Sequence, residues 1–257
     1  MITLNWWFPV QHSFVHLHAR AQPEQVIAAC AHFVVKQLNA AIAARGVARI
    51  TLAGGNTPKA LYDALASPLH RNEVDWQRVE FYFGDERAVP QTHPDSNFGM
   101  AQRHLFMPLG LAPAQVFPMI SAPMFPLAEE AKRNQNLLTS WAGTGVPRFD
   151  FMVNGMGDDG HFASLFPDTP ALTVRDRWVV VNPVAKLDTE RLTLTYPIFE
   201  EARTVCFLVI GARKQAAFSA MMQPESTLPV ARLIQSRTTD WFVDEACVNR
   251  ATQKELP

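Results

Sequence analysis

The sequence predicts an α/β fold: a mainly parallel sheet flanked by helices. Short β-rich apolar runs at residues 49–53, 79–83, 149–153 and 204–210 are interleaved with helical patterns. A polar, glycine-bearing loop follows each of these four runs, as the carboxyl ends of strands in such sheets require. No repeat, low-complexity tract or polar linker divides the 257 residues, so the chain reads as one domain with a polar tail from about residue 250.

Each element has a local cause. Between Glu24 and Arg45 the apolar residues Val26, Ile27, Cys30, Phe33, Val34, Leu38, Ala41 and Ile42 recur at helical spacing, and Gly46 ends the run. A second helix is expected over residues 58–65, where Pro58 suits the first helical position and Asn56 or Thr57 can cap it. Residues 178–181 and 191–195 read as further strands, and residues 212–222 as a helix after the last glycine loop. The uncharged stretch 107–128 is long enough to suggest a membrane span. Pro108, Pro113, Pro118, Pro123 and Pro126 interrupt it, and it is expected to be buried loop and short strand.

Composition excludes several functions. Hydrophobic residues at 48% and charged residues at 18% are ordinary globular values, not those of a disordered, collagenous or coiled-coil chain. With 23 basic and 24 acidic side chains, no bulk field recommends a nucleic acid or an anionic membrane as partner, and any anion must be held locally. Three scattered cysteines suit a reducing compartment. The start, Met1 to Pro9, lacks a basic segment and cleavage site, so the protein is read as cytoplasmic.

The chemistry is expected in the loops. In Gly54-Gly-Asn-Thr-Pro58 the glycines allow close backbone approach and the helix start offers N–H groups to a phosphate, although a tight turn with a good cap reads the same way. Gly84-Asp-Glu-Arg87, with Ser96-Asn97 downstream, is either a solvated charged turn or part of a ligand edge. Asn154-Gly-Met-Gly-Asp-Asp-Gly-His161 matches a dinucleotide fingerprint, but Asp158 and Asp159 would repel the pyrophosphate that such a loop cradles. His161, with an ordinary pKa of about 6.5, can instead take a proton from water. Arg191, Arg213 and Lys214 stand near later strand ends and hint at a bound anion. His12, His16 and His18 alternate on an expected strand with no acidic or cysteine partner expected nearby, which is a poor metal site and reads as a surface or core feature.

These motifs resemble the 6-phosphogluconolactonase family. Leu52-Ala-Gly-Gly-Asn-Thr-Pro58, Asp85-Glu-Arg-Ala-Val-Pro90 with Ser96-Asn97, Gly155-Met-Gly-Asp-Asp-Gly-His-Phe-Ala-Ser-Leu-Phe-Pro167, Arg191-Leu-Thr-Leu-Thr195 and Gly211-Ala-Arg-Lys214 occur in the family's order and spacing, over residues 24–245. The resemblance implies a Rossmann-like sheet shared with glucosamine-6-phosphate deaminase and related sugar-phosphate isomerases. It also implies hydrolysis of 6-phospho-D-glucono-1,5-lactone without a metal or organic cofactor. By the same resemblance His161 is the general base and Asp159 orients or tunes it. Gly54, Gly55, Asn56 and Thr57, with Arg191 and Lys214, then form the phosphate pocket, and Arg87 reaches the substrate across the cleft. The chain departs from the family at Asn56, usually serine, at Phe162, commonly threonine and expected to alter the pocket wall, and at residues 186–190, which lack a frequent proline.

Two rival readings remain. An isomerase or deaminase on the same fold would carry a glutamate after the histidine loop, where this chain has Ser164-Leu-Phe-Pro167. A non-catalytic sugar-phosphate sensor would need the phosphate loop but no base, and His161 argues against it.

Overall fold

The computed structural model describes residues 15–248, so His12, the start of the chain and the polar tail lie outside the described residues. The described strands are β1 (Val15–Arg20), β2 (Ala48–Leu52), β3 (Val79–Phe83), β4 (Asp85–Arg87), β5 (Phe151–Asn154), β6 (Val179–Val184), β7 (Thr189–Leu194), β8 (Thr204–Val209) and β9 (Thr239–Asp244). Six of them form a parallel sheet in the order β1-β9-β8-β5-β2-β3. Every residue of β5 is buried, as is all of β8 after Thr204, because helices cover both faces of a parallel sheet.

The described helices are α1 (Pro23–Arg45), α2 (Asn56–Leu65), α3 (Asn97–Ala101), α4 (Met107–Leu109), α5 (Leu127–Ala142), α6 (Tyr196–Glu201), α7 (Gln215–Met221) and α8 (Pro229–Ser236). Helix α1 is long and apolar enough to cross a membrane by composition. Its Val26, Cys30, Ala31, Val34, Val35, Leu38 and Ala41 are instead buried in the core, and Gly46 ends it in the left-handed region at φ 78°. Helix α2 starts two residues earlier than the sequence suggests. Gly55 precedes it with φ 101°, a conformation open to glycine, so neither Asn56 nor Thr57 is the cap and Pro58 is the third helical residue.

From β2 the chain steps outward to β3, returns to β5 on the other side of β2, and then continues away through β8 and β9. The direction of winding reverses between β2 and β5, and a crevice opens at the carboxyl ends of that pair.

The expected strands at 178–181 and 191–195 are real but do not join the parallel sheet. They are β6 and β7 of a second, antiparallel sheet ordered β4-β7-β6. A single 3-10 turn, Ala185–Leu187, joins them, which is too short for the crossover a parallel pair needs. The two sheets meet at Gly84, whose N–H donates to the Leu52 carbonyl at 2.9 Å and whose carbonyl accepts from the Leu194 N–H at 2.9 Å.

Three other expectations change. Gly84 to Arg87 is no solvated turn: β4 pairs with β7, and Asp85 and Glu86 are buried. Residues 107–128 are mostly exposed or half-buried loop and helical turns, with only Met119 and Ile120 fully inside. Glu130 and Arg133 of α5 hold that loop by hydrogen bonds with the Ser121 N–H and with the carbonyls of Pro118 and Met119, which replace regular backbone pairing. His16 and His18 do have an acidic partner. The parallel register sets Asp240 opposite His16, and the His18 Nε2 lies 3.1 Å from its carboxylate.

Glu86, a buried acid of β4, has four hydrogen-bond donors on its carboxylate. It accepts from the N–H groups of Arg87, Asn97 and Phe98, each at 2.8 Å, and from the Ser96 hydroxyl at 3.2 Å. Burial pushes its pKa up, and these backbone donors oppose that shift. Glu86→Ala strands all four donors, and a loss of about 2–4 kcal/mol is expected in urea unfolding. A loss within about 0.5 kcal/mol, the range of an ordinary surface change, would show that water satisfies these donors instead.

Candidate active site

The crevice is a cleft of about 800 Å³. Gly54, Gly55, Asn56, Thr57, Arg87, Asp159, His161, Arg191 and Lys214 all line it, so the structure brings together the nine residues expected to act on or bind the substrate; Ser96, Asn97, Glu86, His16 and His18 lie outside its lining.

The first wall is the loop between β2 and α2. The Tyr62 hydroxyl accepts from the Ala53 N–H at 2.9 Å and donates to its carbonyl at 2.7 Å, fixing where the chain leaves the strand. A Cβ on Gly54 would lie 1.9 Å from Asn97 Oδ1, so only glycine lets the Ser96-Asn97 segment pack here. Gly55 has no side chain with which to cap α2, and the N–H groups of Asn56 and Thr57 in the first turn are left to an incoming anion.

The second wall carries two arginines. Arg87 of β4 and Arg191 of β7 are directly opposed across the antiparallel ladder, where like charges repel. The Nε of each is buried without a hydrogen-bond partner. Burial, and then the neighbouring Arg87, lower the pKa of Arg191. Two adjacent guanidinium groups with unmet donors are the complement of a dianion such as a phosphate monoester. The two arginines therefore lie side by side, whereas the resemblance has Arg87 reach the substrate across the cleft and Arg191 in the phosphate pocket.

The third wall is the 155–161 loop. It leads into a turn closed by a bridge between Phe162 and Leu165, with no helix for a pyrophosphate to sit on, in keeping with the rejected dinucleotide reading. Each of its carboxylates meets a lysine from another element: Asp158 lies 2.6 Å from Lys214 Nζ, and Asp159 pairs with Lys186. Lys214 lowers the pKa of Asp158. The other oxygen of Asp159 is 2.5 Å from His161 Nδ1. A carboxylate can only accept, so Nδ1 carries the proton and Nε2 keeps its lone pair.

His161 stacks on Phe166 with ring centroids 4.0 Å apart. Burial pushes its pKa down to about 4; Asp85 and Asp158 oppose the shift, and Lys214 and Arg191 add to it. The ordinary value assumed from the sequence is therefore too high. Asp85 itself accepts from the Ser164 hydroxyl at 2.6 Å and from Asn97 Nδ2 at 3.2 Å. The Phe162 ring, expected to reshape the pocket wall, is mainly core, edge-on to Tyr196, Phe199 and Phe207. Sequence reasoning assigned no role to Lys186, Phe166 or Ser164, although residues 164–167 belong to the family motif ending at Pro167. Among the described residues no group of three or more His, Cys, Asp or Glu side chains is arranged to hold a metal ion.

The family model described as glucosamine-6-phosphate isomerases/6-phosphogluconolactonase matches residues 21–251. A relative from Synechocystis named 6-phosphogluconolactonase is 41% identical over 218 residues, which cover 82% of this chain and 88% of the relative. A protein of the same name from Mycobacterium leprae is 34% identical over 228 residues, covering 86% and 92%. The solved 6-phosphogluconolactonase of Trypanosoma brucei superposes with a TM-score of 0.80 at 27% identity, over 90% of this chain and 96% of that one. A monomeric glucosamine-6-phosphate deaminase, at 18% identity and a TM-score of 0.75 over 90% and 98%, shares the fold.

Two outcomes follow from this geometry. A Cβ on Gly157 would lie 2.0 Å from His161 Nδ1, so Gly157→Ala should displace the ring and lower kcat by about 10²-fold in a folded protein. Wild-type turnover in that variant would show that the ring position is not critical. For an essential base with its pKa lowered to about 4, the neutral, active form prevails above that value and is lost as pH falls through it. The acid limb of kcat/KM, corrected for spontaneous hydrolysis of the substrate, should therefore have its midpoint near 4. A midpoint at the ordinary histidine value would show that the ring is solvated.

Proposed function

The chain belongs to the glucosamine-6-phosphate isomerase/6-phosphogluconolactonase family, and from that premise we infer what its cleft does. It hydrolyses 6-phospho-D-glucono-1,5-lactone to 6-phospho-D-gluconate, a step of the pentose phosphate pathway. The observation that carries the mechanism is the Asp159 contact to His161 Nδ1, which leaves Nε2 as a proton acceptor in the same cleft as two opposed arginines.

His161 Nε2 takes a proton from water as the oxygen attacks the lactone carbonyl. The tetrahedral oxyanion collapses, the bond from the carbonyl carbon to the ring oxygen breaks, and the imidazolium returns its proton to the departing alkoxide. While charged, the ring is stabilised by Asp159, Asp85 and Asp158. At rest, burial, Lys214 and Arg191 keep it neutral. The 6-phosphate binds Arg87, Arg191 and the N–H groups at the start of α2, with Lys214 at the edge of the cleft. The remote phosphate thereby places the carbonyl beside His161. Phe166, and no carboxylate, stacks on His161, which supports hydrolysis over the proton relay of an isomerase. Cys30, Cys206 and Cys247 are buried free thiols, with the Sγ atoms of Cys30 and Cys206 4.0 Å apart, as suits a reducing compartment such as the cytoplasm.

His161→Ala should lower kcat by about 10²- to 10⁴-fold while competition by inorganic phosphate persists. Near wild-type kcat would remove this residue from the mechanism. Arg191→Ala should cost about 1.5–3 kcal/mol in kcat/KM on the phosphorylated lactone and little on unphosphorylated gluconolactone. Equal losses on both substrates would place the phosphate elsewhere.

A further inference from the structure

We propose that Lys186 is a positioning residue: acting through the Asp159 carboxylate, it holds the His161 ring in its working tautomer and orientation. The proposal rests on the reading of His161 as the base. Lys186 lies in the 3-10 turn Ala185–Leu187 at the tip of the β6–β7 hairpin, far in sequence from the loop that carries the base. The fold leans this tip over the cleft, where Lys186 and Leu187 both form part of its wall.

Lys186 makes two contacts there. Its Nζ pairs with Asp159 Oδ2, and it stands 4.6 Å above the Phe166 ring. Asp159 Oδ1 meets His161 Nδ1 at 2.5 Å, and Phe166 stacks on the His161 ring at 4.0 Å. Lysine, aspartate, histidine and phenylalanine thus form a closed circuit in which each side chain touches the next. A carboxylate with one partner can rotate and exchange its oxygens; a cation on the second oxygen removes that freedom, and His161 Nδ1–H keeps a fixed acceptor.

The pair itself is half-exposed, with Lys186 at 49% and Asp159 at 32%, so it adds little to stability. Its effect falls on the base. The other charges facing His161 are Asp158 of its own loop, Asp85 of β4, Arg191 of β7 and Lys214 after β8. Lys214 is engaged by Asp158, which leaves Lys186 as the lysine on Asp159. Without it, the unneutralised Asp159 would favour the imidazolium, and the ring would lose its fixed orientation.

The test is an NMR titration of the His161 ring in the full-length protein without substrate, its signal assigned by its loss in His161→Ala, together with kcat and KM. Lys186→Met should raise the titration midpoint by about one pH unit. It should lower kcat at neutral pH by about tenfold, with KM within about twofold and the melting temperature unchanged. Lys186→Arg, which keeps the cation, should restore both the midpoint and kcat. An unshifted midpoint, or an unchanged kcat, in Lys186→Met would overturn the proposal. A loss confined to KM would make Lys186 a substrate contact and overturn it too. Full activity in His161→Ala would remove the base itself, whereas an inactive His161→Ala beside an unshifted Lys186→Met refutes only the role of Lys186.

Discussion

Glu86 is 1% exposed, and its two carboxylate oxygens collect hydrogen bonds from Arg87, Ser96, Asn97 and Phe98. That acid ties the three-residue strand β4 to the start of α3, and the cleft is assembled around the joint. Asp85, one position before, reaches Ser164 in the base loop and Asn97 beside the phosphate loop. Arg87, one position after, faces Arg191 in the cleft. Three consecutive side chains therefore connect the Ser96-Asn97 segment, the base loop and Arg191 of β7, because alternate residues of a strand project to opposite faces. Gly54 completes the arrangement by leaving room for Asn97.

The cleft is an arrangement of charges that its chain-wide near-neutrality conceals. Arg87 and Arg191 oppose each other with buried, unmet Nε donors, while Asp158 and Asp159 are each matched by a lysine. One region presents cationic donors with no partner and can receive a dianion; the other is locally balanced and can host a base that changes charge during a turnover. Low dielectric surroundings strengthen both effects. Burial keeps His161 neutral at rest, and nearby carboxylates stabilise it once protonated. Neither environment alone would serve a group that must accept a proton and then release it.

Much of this was legible in the sequence. Helix α1 followed from apolar spacing and a terminal glycine, and β2, β3, β5 and β8 followed from short β-rich runs ahead of polar, glycine-bearing loops, whereas β9 carried no such signal. Gly54, Gly55, Asn56, Thr57, Asp159, His161 and Lys214 lie on the cleft because in an α/β sheet the loops after neighbouring parallel strands must converge at one edge, whereas Arg87 and Arg191 reach it from the antiparallel sheet. Those features depend on periodicity and on local backbone conformation, which a one-dimensional pattern encodes.

What the sequence could not decide was pairing between distant segments. Only the antiparallel register of β4 with β7 sets Arg87 against Arg191, and only the hairpin tip brings Lys186 to Asp159. The triplet Asp85-Glu86-Arg87 has the composition of a solvated turn, and its burial rests on donors supplied by Ser96, Asn97, Phe98 and Ser164. The lowered pKa of His161 likewise comes from the packing around it, not from its identity. The sequence alone determined the fold class, the order of the loops and the residue types available for chemistry, since these rest on local propensity and spacing. Tertiary structure decided which charges meet, which are buried and which nitrogen of His161 is left to act, since each depends on distances between groups far apart along the chain.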